Sequence, residues 1–467
     1  MAKEYDLIII GAGTAGCICA IRAARKGLNV AIVERKEKKY IGDKVCGDLI
    51  GYDLIGWLKK TLDLDYSKNK SINYIIDNIN TYSPDKKTVM ETKYRCAMIN
   101  RHRFGQNLLK DALKEGCRLY DATICVEPII NDNYVCGIKV RDGKTGKTST
   151  LNSRIVVDAS GAIPALRNKI KLNNSHIDTM IDESDESFSY REIRKLKRPL
   201  YDPKTAKIFM SGTYAHGGYY WYFPESRDII NIGIGIPRDK ETYKLKEMLK
   251  TIMDDDPIFE GSKVITAGGG MLPTRRHMDS LVANGFMCAG DSASQINPVT
   301  GGGIALSMGA GLICADVAVH AIKEDDVSEA GLWRFNYLYC GRKDIRWKDI
   351  KDYVYDGAPN AASDLLRIFS KNIEDRSLNF AFKNFIDTTM LAKVSYGHSH
   401  NPTFSKKMKI LLKSLPRLPL LIRFTHLMRL MDKIKRLYMI YPKTPDAFPE
   451  WKKRLDAIYD EVYKISK

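Results

Sequence analysis

Apolar positions along this chain fall into three patterns. Short continuous runs, Tyr5–Ile10, Asn29–Glu34 and Phe286–Ala289, predict buried strands. Alternation across Tyr219–Phe223 predicts a strand with Tyr219, Trp221 and Phe223 on one face and Tyr220 and Tyr222 on the other. Spacing of three and four residues predicts helices: one from about Ala15 to Lys26, ended by Gly27, and an Ala/Gly-rich one from about Ile304. From about Ala330 onward glycine motifs stop, and the sequence reads as helical and mixed in charge. The segment Asn173–Lys197, acidic and then basic, reads as an excursion within the substrate domain.

The first two strands flank the loop Gly11-Ala12-Gly13-Thr14-Ala15-Gly16, and the second ends on Glu34, with Arg35 beside it. This is a complete strand–GxGxxG–helix–strand–acid unit. Gly11 allows the tight turn, Gly13 lets backbone approach a pyrophosphate, and Gly16 lets helix and strand pack closely. Thr14 and Ala15 open the helix, whose N-terminal N–H groups favour an anion. Glu34 suits ribose hydroxyls and disfavours a 2′-phosphate, which leaves FAD and NAD.

Two later segments bear on that choice. The first, Arg154–Gly161, reads as a strand ending in the small-residue turn Ala159-Ser160-Gly161. In the second, Gly290-Asp291 follows a strand, and Asn297-Pro298-Val299-Thr300-Gly301-Gly302-Gly303 opens the helix at Ile304. A glycine turn opening a helix is again an anion site, and it can also stabilise charge on a reduced flavin. Gly-Asp-Ser alone would fit a capped loop equally well.

Together the three segments resemble the FAD-binding signature of glutathione-reductase-type flavoproteins, in the branch shaped like p-hydroxybenzoate hydroxylase. The resemblance implies an α/β protein: a Rossmann-type FAD-binding domain, an antiparallel-sheet substrate domain and a helical C-terminal region. It implies one FAD, with Asp291 on the ribityl chain, Arg101 ahead of a helix touching the cofactor, and Gln106 on that helix. The expected division is 1–50, 96–170 and 270–330 for FAD binding, 51–95 and 171–269 for substrate, and 331–467 for the helical region.

Narrower matches follow. Tyr219-Tyr220-Trp221-Tyr222-Phe223-Pro224 with Gly233-Ile234-Gly235 is similar to the YxWxFP…GxG motif of the geranylgeranyl reductase family, and Lys44-Val45-Cys46-Gly47-Asp48 to its PxCGD loop. A third match is Gly269–Arg276. This chain departs from the family loop in carrying Lys44 or Val45 where proline is usual. The resemblance implies hydride transfer from reduced FAD to isoprenoid alkenes, on a geranylgeranyl lipid such as a phosphorylated glycerol diether. Cys46, Tyr219, Trp221 and Phe223 become catalytic candidates, and Cys46, Gly47 and Asp48 candidates for cofactor contact. Cys46 can equally be a small packed residue, the aromatic strand a half-buried core strand, and Asp48 a cap or a proton relay. Arg275 and Arg276 are candidate ligands for a phosphate head or the FAD pyrophosphate, or surface charge.

The chain has 467 residues, 44% apolar and 28% charged, enough for two or three packed units. Its net charge of +18 fits either an anionic partner or a uniform lysine bias. No nucleic-acid motif accompanies the charge, so nucleic acid is not expected. The ten cysteines form no CxxC pair and no iron–sulfur or zinc spacing. No signal peptide and no membrane span are expected, which places the chain in the cytoplasm. A basic amphipathic stretch, Ser405–Tyr441 with Lys406, Lys407, Lys409 and Lys413, fits either a helical cover or contact with the inner membrane face. No second GxGxxG unit follows Gly16, so electrons are expected from outside, from transient NAD(P)H or a ferredoxin. The rival readings are a flavin monooxygenase or halogenase, a quinone-linked flavoprotein dehydrogenase, and a non-catalytic isoprenoid-binding flavoprotein.

Overall fold

The computed structural model describes residues 4–238, 244–340, 357–371, 373–385 and 418–467. In chain order its strands and helices are β1 (Glu4–Ile10), α1 (Thr14–Arg25), β2 (Val30–Val33), β3 (Leu49–Gly51), α2 (Asp53–Leu62), β4 (Ile72–Tyr82) and β5 (Val89–Ile99). There follow α3 (Arg101–Lys114), β6 (Arg118–Tyr120), β7 (Thr123–Asn131), β8 (Tyr134–Asp142), β9 (Thr148–Asp158), β10 (Ser187–Lys195), β11 (Thr205–Met210), β12 (Tyr219–Pro224) and β13 (Ile229–Pro237). The remainder is α4 (Leu245–Asp254), β14 (Lys263–Leu272), β15 (Val282–Ala283), β16 (Phe286–Cys288), α5 (Ile304–Lys323), α6 (Glu329–Leu332), α7 (Arg334–Tyr339), α8 (Gly357–Ser370), α9 (Asp375–Phe385), α10 (Leu418–Met439) and α11 (Phe448–Ser466).

The continuous apolar runs form a parallel sheet of order β16-β9-β1-β2-β6, with β15 antiparallel on its edge and β7 and β8 joined through β9. Leu7, Ile8 and Ile9 are fully buried in one core with Ile18 and Ile21 of α1, Leu312 of α5 and Ile138 and Val140 of β8. Each such side chain contributes about 1.5–3 kcal/mol on burial. Helix α5 packs on α1 so closely that a Cβ on Gly311 would lie 2.3 Å from the Ala15 carbonyl oxygen. That contact brings the N-termini of α1 and α5 to one end of the sheet. By length and apolarity α5 passes for a membrane-crossing helix, but most of it is buried in this core.

The second sheet runs β14-β10-β13-β12-β11-β4-β5-β3, antiparallel except where β11 meets β4. The alternation at Tyr219–Phe223 places Tyr219, Trp221 and Phe223 with Ile76, Ile79 and Met98 on one face. Tyr220 and Tyr222 point to the other, against Phe209 and α4 residues such as Leu249. The stretch read as an excursion contains β10, an interior strand between β13 and β14. Its charges misled the reading because they are satisfied in place: Arg194 pairs with Glu192, and Arg191 donates across the sheet face to the Cys46 carbonyl.

Helices α8, α10 and α11 close over the first sheet through a buried ionic junction. Arg276 donates two bonds to Asp279, both 2.7 Å, and its guanidinium stacks 4.0 Å from the Tyr459 ring centre. Arg367 bonds Asp185 at 2.7 Å and Asp364 at 2.9 Å, and Tyr459 donates to Asp364. Arg275 faces Asp185 at 3.5 Å. Neither Arg275 nor Arg276 is therefore a free phosphate ligand, since nearby carboxylates already take up their charge. Leu427, Leu430 and Ile434 of α10 are buried in this cover. Lys406, Lys407, Lys409 and Lys413 lie outside the described residues.

Candidate functional site

The glycine loop leaves β1 with Gly11 at φ +101°, a conformation that disfavours any side chain, and an added Cβ would sit 2.4 Å from the Ala159 carbonyl. A Cβ on Gly16 would lie 1.9 Å from the Gly11 carbonyl. The loop is thus as tight as backbone allows. Helix α1 opens at Gly13 with no side chain capping it, so its first N–H groups stay available to an anion. Lys44 Nζ lies 3.5 Å from the point where a Gly13 Cβ would be, adding a positive charge over the same spot. Glu34 accepts from the backbone N–H of Ala12 and of Lys36, both at 2.9 Å, one bond per oxygen. Each oxygen keeps acceptor capacity for a ribose hydroxyl. Arg35 is exposed beside it.

The distal segments meet this loop. Ala159 donates to the Ile10 carbonyl, and Gly161 turns at φ +104°. Asp158, fully buried, holds that turn by accepting from Ser160, Leu166 and Arg167. Ser292 bonds the Asp158 carbonyl at 2.6 Å, which ties the Gly290–Ala293 turn and Asp291 to β9. Helix α5 also begins uncapped, at Gly303, after the Pro298–Gly302 loop. The Tyr219 hydroxyl donates to the Thr300 carbonyl, so the aromatic strand reaches this loop directly.

Arg101 is the first residue of α3 rather than a residue ahead of it; Asn100 is the cap and accepts from the Arg103 N–H. The Arg101 Nε is buried without a hydrogen-bond partner among the described residues. Gln106 spends its amide nitrogen on the Lys38 and Ile41 carbonyls, and so anchors the loop after β2. An added Cβ has no room at Gly11 or Gly16, the Arg101 Nε is buried without a hydrogen-bond partner among the described residues, and two helices start uncapped. These features fit an extended dinucleotide such as FAD.

The loop Lys44–Asp48 crosses the face of the second sheet. A Cβ on Gly47 would lie 3.3 Å from the Phe223 ring, and one on Gly233 would lie 2.2 Å from the Trp221 ring. Trp221 therefore lies flat on the β13 backbone, stacked beside Phe223 with ring centres 5.9 Å apart. Asn231, fully buried on β13, organises the loop. It accepts from Trp221 Nε1 at 3.1 Å and donates to the Cys46 carbonyl at 3.1 Å and to Asp48 at 3.3 Å. Burial, and then the Asp48 charge, push the Cys46 thiol up to about 11, so it is a protonated thiol at neutral pH. Asp48 is only 3% exposed and sits at φ +60°. Burial pushes its carboxyl up to about 7, with Arg191 opposing and Glu225 adding to the shift.

The structure thus brings Gly11–Gly16, Glu34, Ala159, Gly161, Asp291 and Pro298–Ile304 to one end of the parallel sheet. Cys46, Gly47, Asp48, Trp221 and Phe223 meet on the face of the other sheet, and Tyr219 bridges to the Thr300 loop. Asn231, Arg191 and Glu225 escaped the reading of the chain. Asn231 sits between the aromatic motif and Gly233, where a polar residue in an otherwise Ile/Gly strand was the available signal.

Residues 6–163 match the family model described as FAD dependent oxidoreductase, and residues 185–272 match the geranylgeranyl reductase catalytic domain. A digeranylgeranylglycerophospholipid reductase of Sulfolobus acidocaldarius is 31% identical over 99% of this chain and 98% of its own. Among solved structures, a geranylgeranyl bacteriochlorophyll reductase-like protein from Thermoplasma acidophilum has a TM-score of 0.71 at 19% identity, covering 89% of this chain and 98% of its own. The myxobacterial chondrochloren halogenase, an FAD-dependent enzyme, has a TM-score of 0.65 at 15% identity, covering 94% and 97%. Both structures share the fold.

Proposed function

This chain belongs to the digeranylgeranylglycerophospholipid reductase family, and from that premise we propose how its site works. It is an FAD-dependent oxidoreductase that reduces the double bonds of geranylgeranyl chains in archaeal membrane-lipid biosynthesis. The observation that carries the reading is the Cys46-Gly47-Asp48 loop, clamped by Asn231 against the Trp221 and Phe223 face.

Bound FAD would supply, when reduced, the hydride for one carbon of an isolated alkene. The residues of this chain would do the rest. Gly11, Gly13 and Gly16 would admit the pyrophosphate, with the Lys44 charge close to Gly13, and Glu34 would take the ribose. Asp291 and the uncapped start of α5 would hold the ribityl and ring end, with Arg101 supplying charge. Tyr219, Trp221 and Phe223 give an apolar, electron-rich wall that favours positive charge developing on the second alkene carbon. Cys46, as a neutral thiol, shapes the approach. The lipid is a phosphorylated glycerol diether, and its electrons come from NAD(P)H or a ferredoxin. The unpaired state of all ten cysteines supports a reducing, cytoplasmic setting.

Dithionite-reduced protein mixed anaerobically with digeranylgeranylglyceryl phosphate should reoxidise its flavin while the lipid mass rises in steps of two hydrogens. A flavin that stays reduced until oxygen is admitted would move the chain to the oxygen-using chemistry of its halogenase-like structural relatives.

A further inference from the structure

Between β14 and β12 the second sheet carries a trough floored by glycine. Arg191 on β10 stands opposite Gly233 on β13 and Gly268 on β14. With no side chain on either neighbour, the loop Val45–Asp48 can settle close to the backbone of the sheet. A Cβ on Gly268 would lie 2.6 Å from Val45 Cγ2, and the space over Gly233 is taken by the Trp221 ring. At the far end of the loop, Asp48 adopts φ +60°, a conformation aspartate tolerates better than most side chains. Its carbonyl accepts from the Ile99 N–H of β5 at 2.9 Å.

Cys46 is held at both its backbone and its sulfur. The carbonyl accepts from two adjacent strands, Arg191 Nε at 3.3 Å and Asn231 Nδ2 at 3.1 Å. The sulfur accepts from the Asp48 N–H at 3.3 Å. Asn231 is fully buried, and its partners fix which way the amide points. The Trp221 indole N–H can only donate, so it faces Oδ1, and the Cys46 carbonyl can only accept, so it faces Nδ2. The second amide hydrogen goes to Asp48 Oδ2. One side chain thus joins the aromatic ring, the cysteine backbone and the carboxyl that follows it.

We infer that Asn231 and Arg191 are positioning residues for Cys46, and that Asn231 couples the orientation of the Trp221 ring to the seat of the cysteine. The use of that cysteine rests on the reductase reading above; the coupling does not. Under that reading, a lipid chain that moves the ring moves the thiol with it. Seated, the thiol is held above its ordinary range by burial, and a loosened loop returns it to water. Its reactivity therefore reports the seat.

Iodoacetamide labelling of oxidised, FAD-loaded protein, followed cysteine by cysteine in peptide masses, tests this. Cys136, the other partly exposed cysteine, is the internal reference, and the buried Cys17 and Cys19 report unfolding. Asn231→Leu removes two donors from the loop and should speed Cys46 labelling about 10- to 100-fold relative to Cys136. Trp221→Phe keeps a ring but loses the indole N–H, and should speed it about 3- to 10-fold. The double variant should be no faster than Asn231→Leu alone, because the indole acts through that amide. Arg191→Lys keeps a donor and should stay near wild type, whereas Arg191→Met should speed labelling. Equal Cys46 rates in wild type, Asn231→Leu and Trp221→Phe would overturn the seat. Effects that multiply independently in the double variant would overturn the coupling. If Asn231→Leu also exposes Cys17 and Cys19, the fold has opened, and Trp221→Phe with the two Arg191 variants decides in its place. No lipid enters the measurement, so a failure of lipid reduction strikes the reductase reading and leaves this result standing.

Discussion

Two buried groups of charges in this molecule are organised in opposite ways. At the C-terminal junction, Arg276 is matched by Asp279, and Arg367 by both Asp185 and Asp364. Around the Cys46 loop, Arg101 Nε, Arg191 Nη1 and Asp48 Oδ1 have no partner among the described residues, and α1 and α5 both start uncapped. An unmade buried hydrogen bond costs about 1–3 kcal/mol, and more for a charged group. A matched set is a device for docking helices. An unmatched set beside a tight glycine loop is accounted for by a ligand that supplies the missing partners. Burial of charge alone does not distinguish the two regions; the pairing does.

That contrast can be broken from either side. The largest effect should come from Gly16→Ala, whose new Cβ would have to displace the Gly11 carbonyl 1.9 Å away. The purified variant should carry no flavin, read from its visible spectrum, whereas a fully yellow variant would show that the loop tolerates the shift. Next comes Arg276→Ala, which removes both short bonds to the Asp279 carboxylate, 2% exposed, and leaves it Lys452 at 3.5 Å. It should cost about 3–5 kcal/mol in denaturant unfolding and leave the flavin spectrum unchanged. Loss of flavin with stability intact would move Arg276 from the scaffold to the cofactor site.

The cofactor end of the fold was legible because its signals are local. Gly11, Gly13 and Gly16 stand between two apolar runs, and Glu34 closes the second; period and spacing alone place them on one βαβ unit. The aromatic strand was legible for the same reason, since alternation at Tyr219–Phe223 fixes its two faces. Features that depend on distant pairing were not. β10 carries Arg191, Glu192 and Arg194, a pattern of an exposed segment, and only its neighbours β13 and β14 make it interior. Arg275 and Arg276 look like an anion site until Asp185, Asp279 and α8 are placed around them. Asn231 meets Asp48 across most of the chain's first half, and no local pattern announces such a contact.

Arg101 tests the account most directly, because its reading as a partner for FAD rests on a buried Nε with no hydrogen-bond partner among the described residues. FAD affinity of apoprotein is to be compared between wild type and Arg101→Met, with unfolding free energies of both apoproteins measured alongside. Loss of a charged hydrogen bond to the cofactor should weaken FAD binding by about 1.5–3 kcal/mol, roughly 10- to 100-fold, with apoprotein stability unchanged or raised. Unchanged affinity together with a destabilised apoprotein would make Arg101 part of the scaffold and contradict the assignment of unpaired charges to the cofactor.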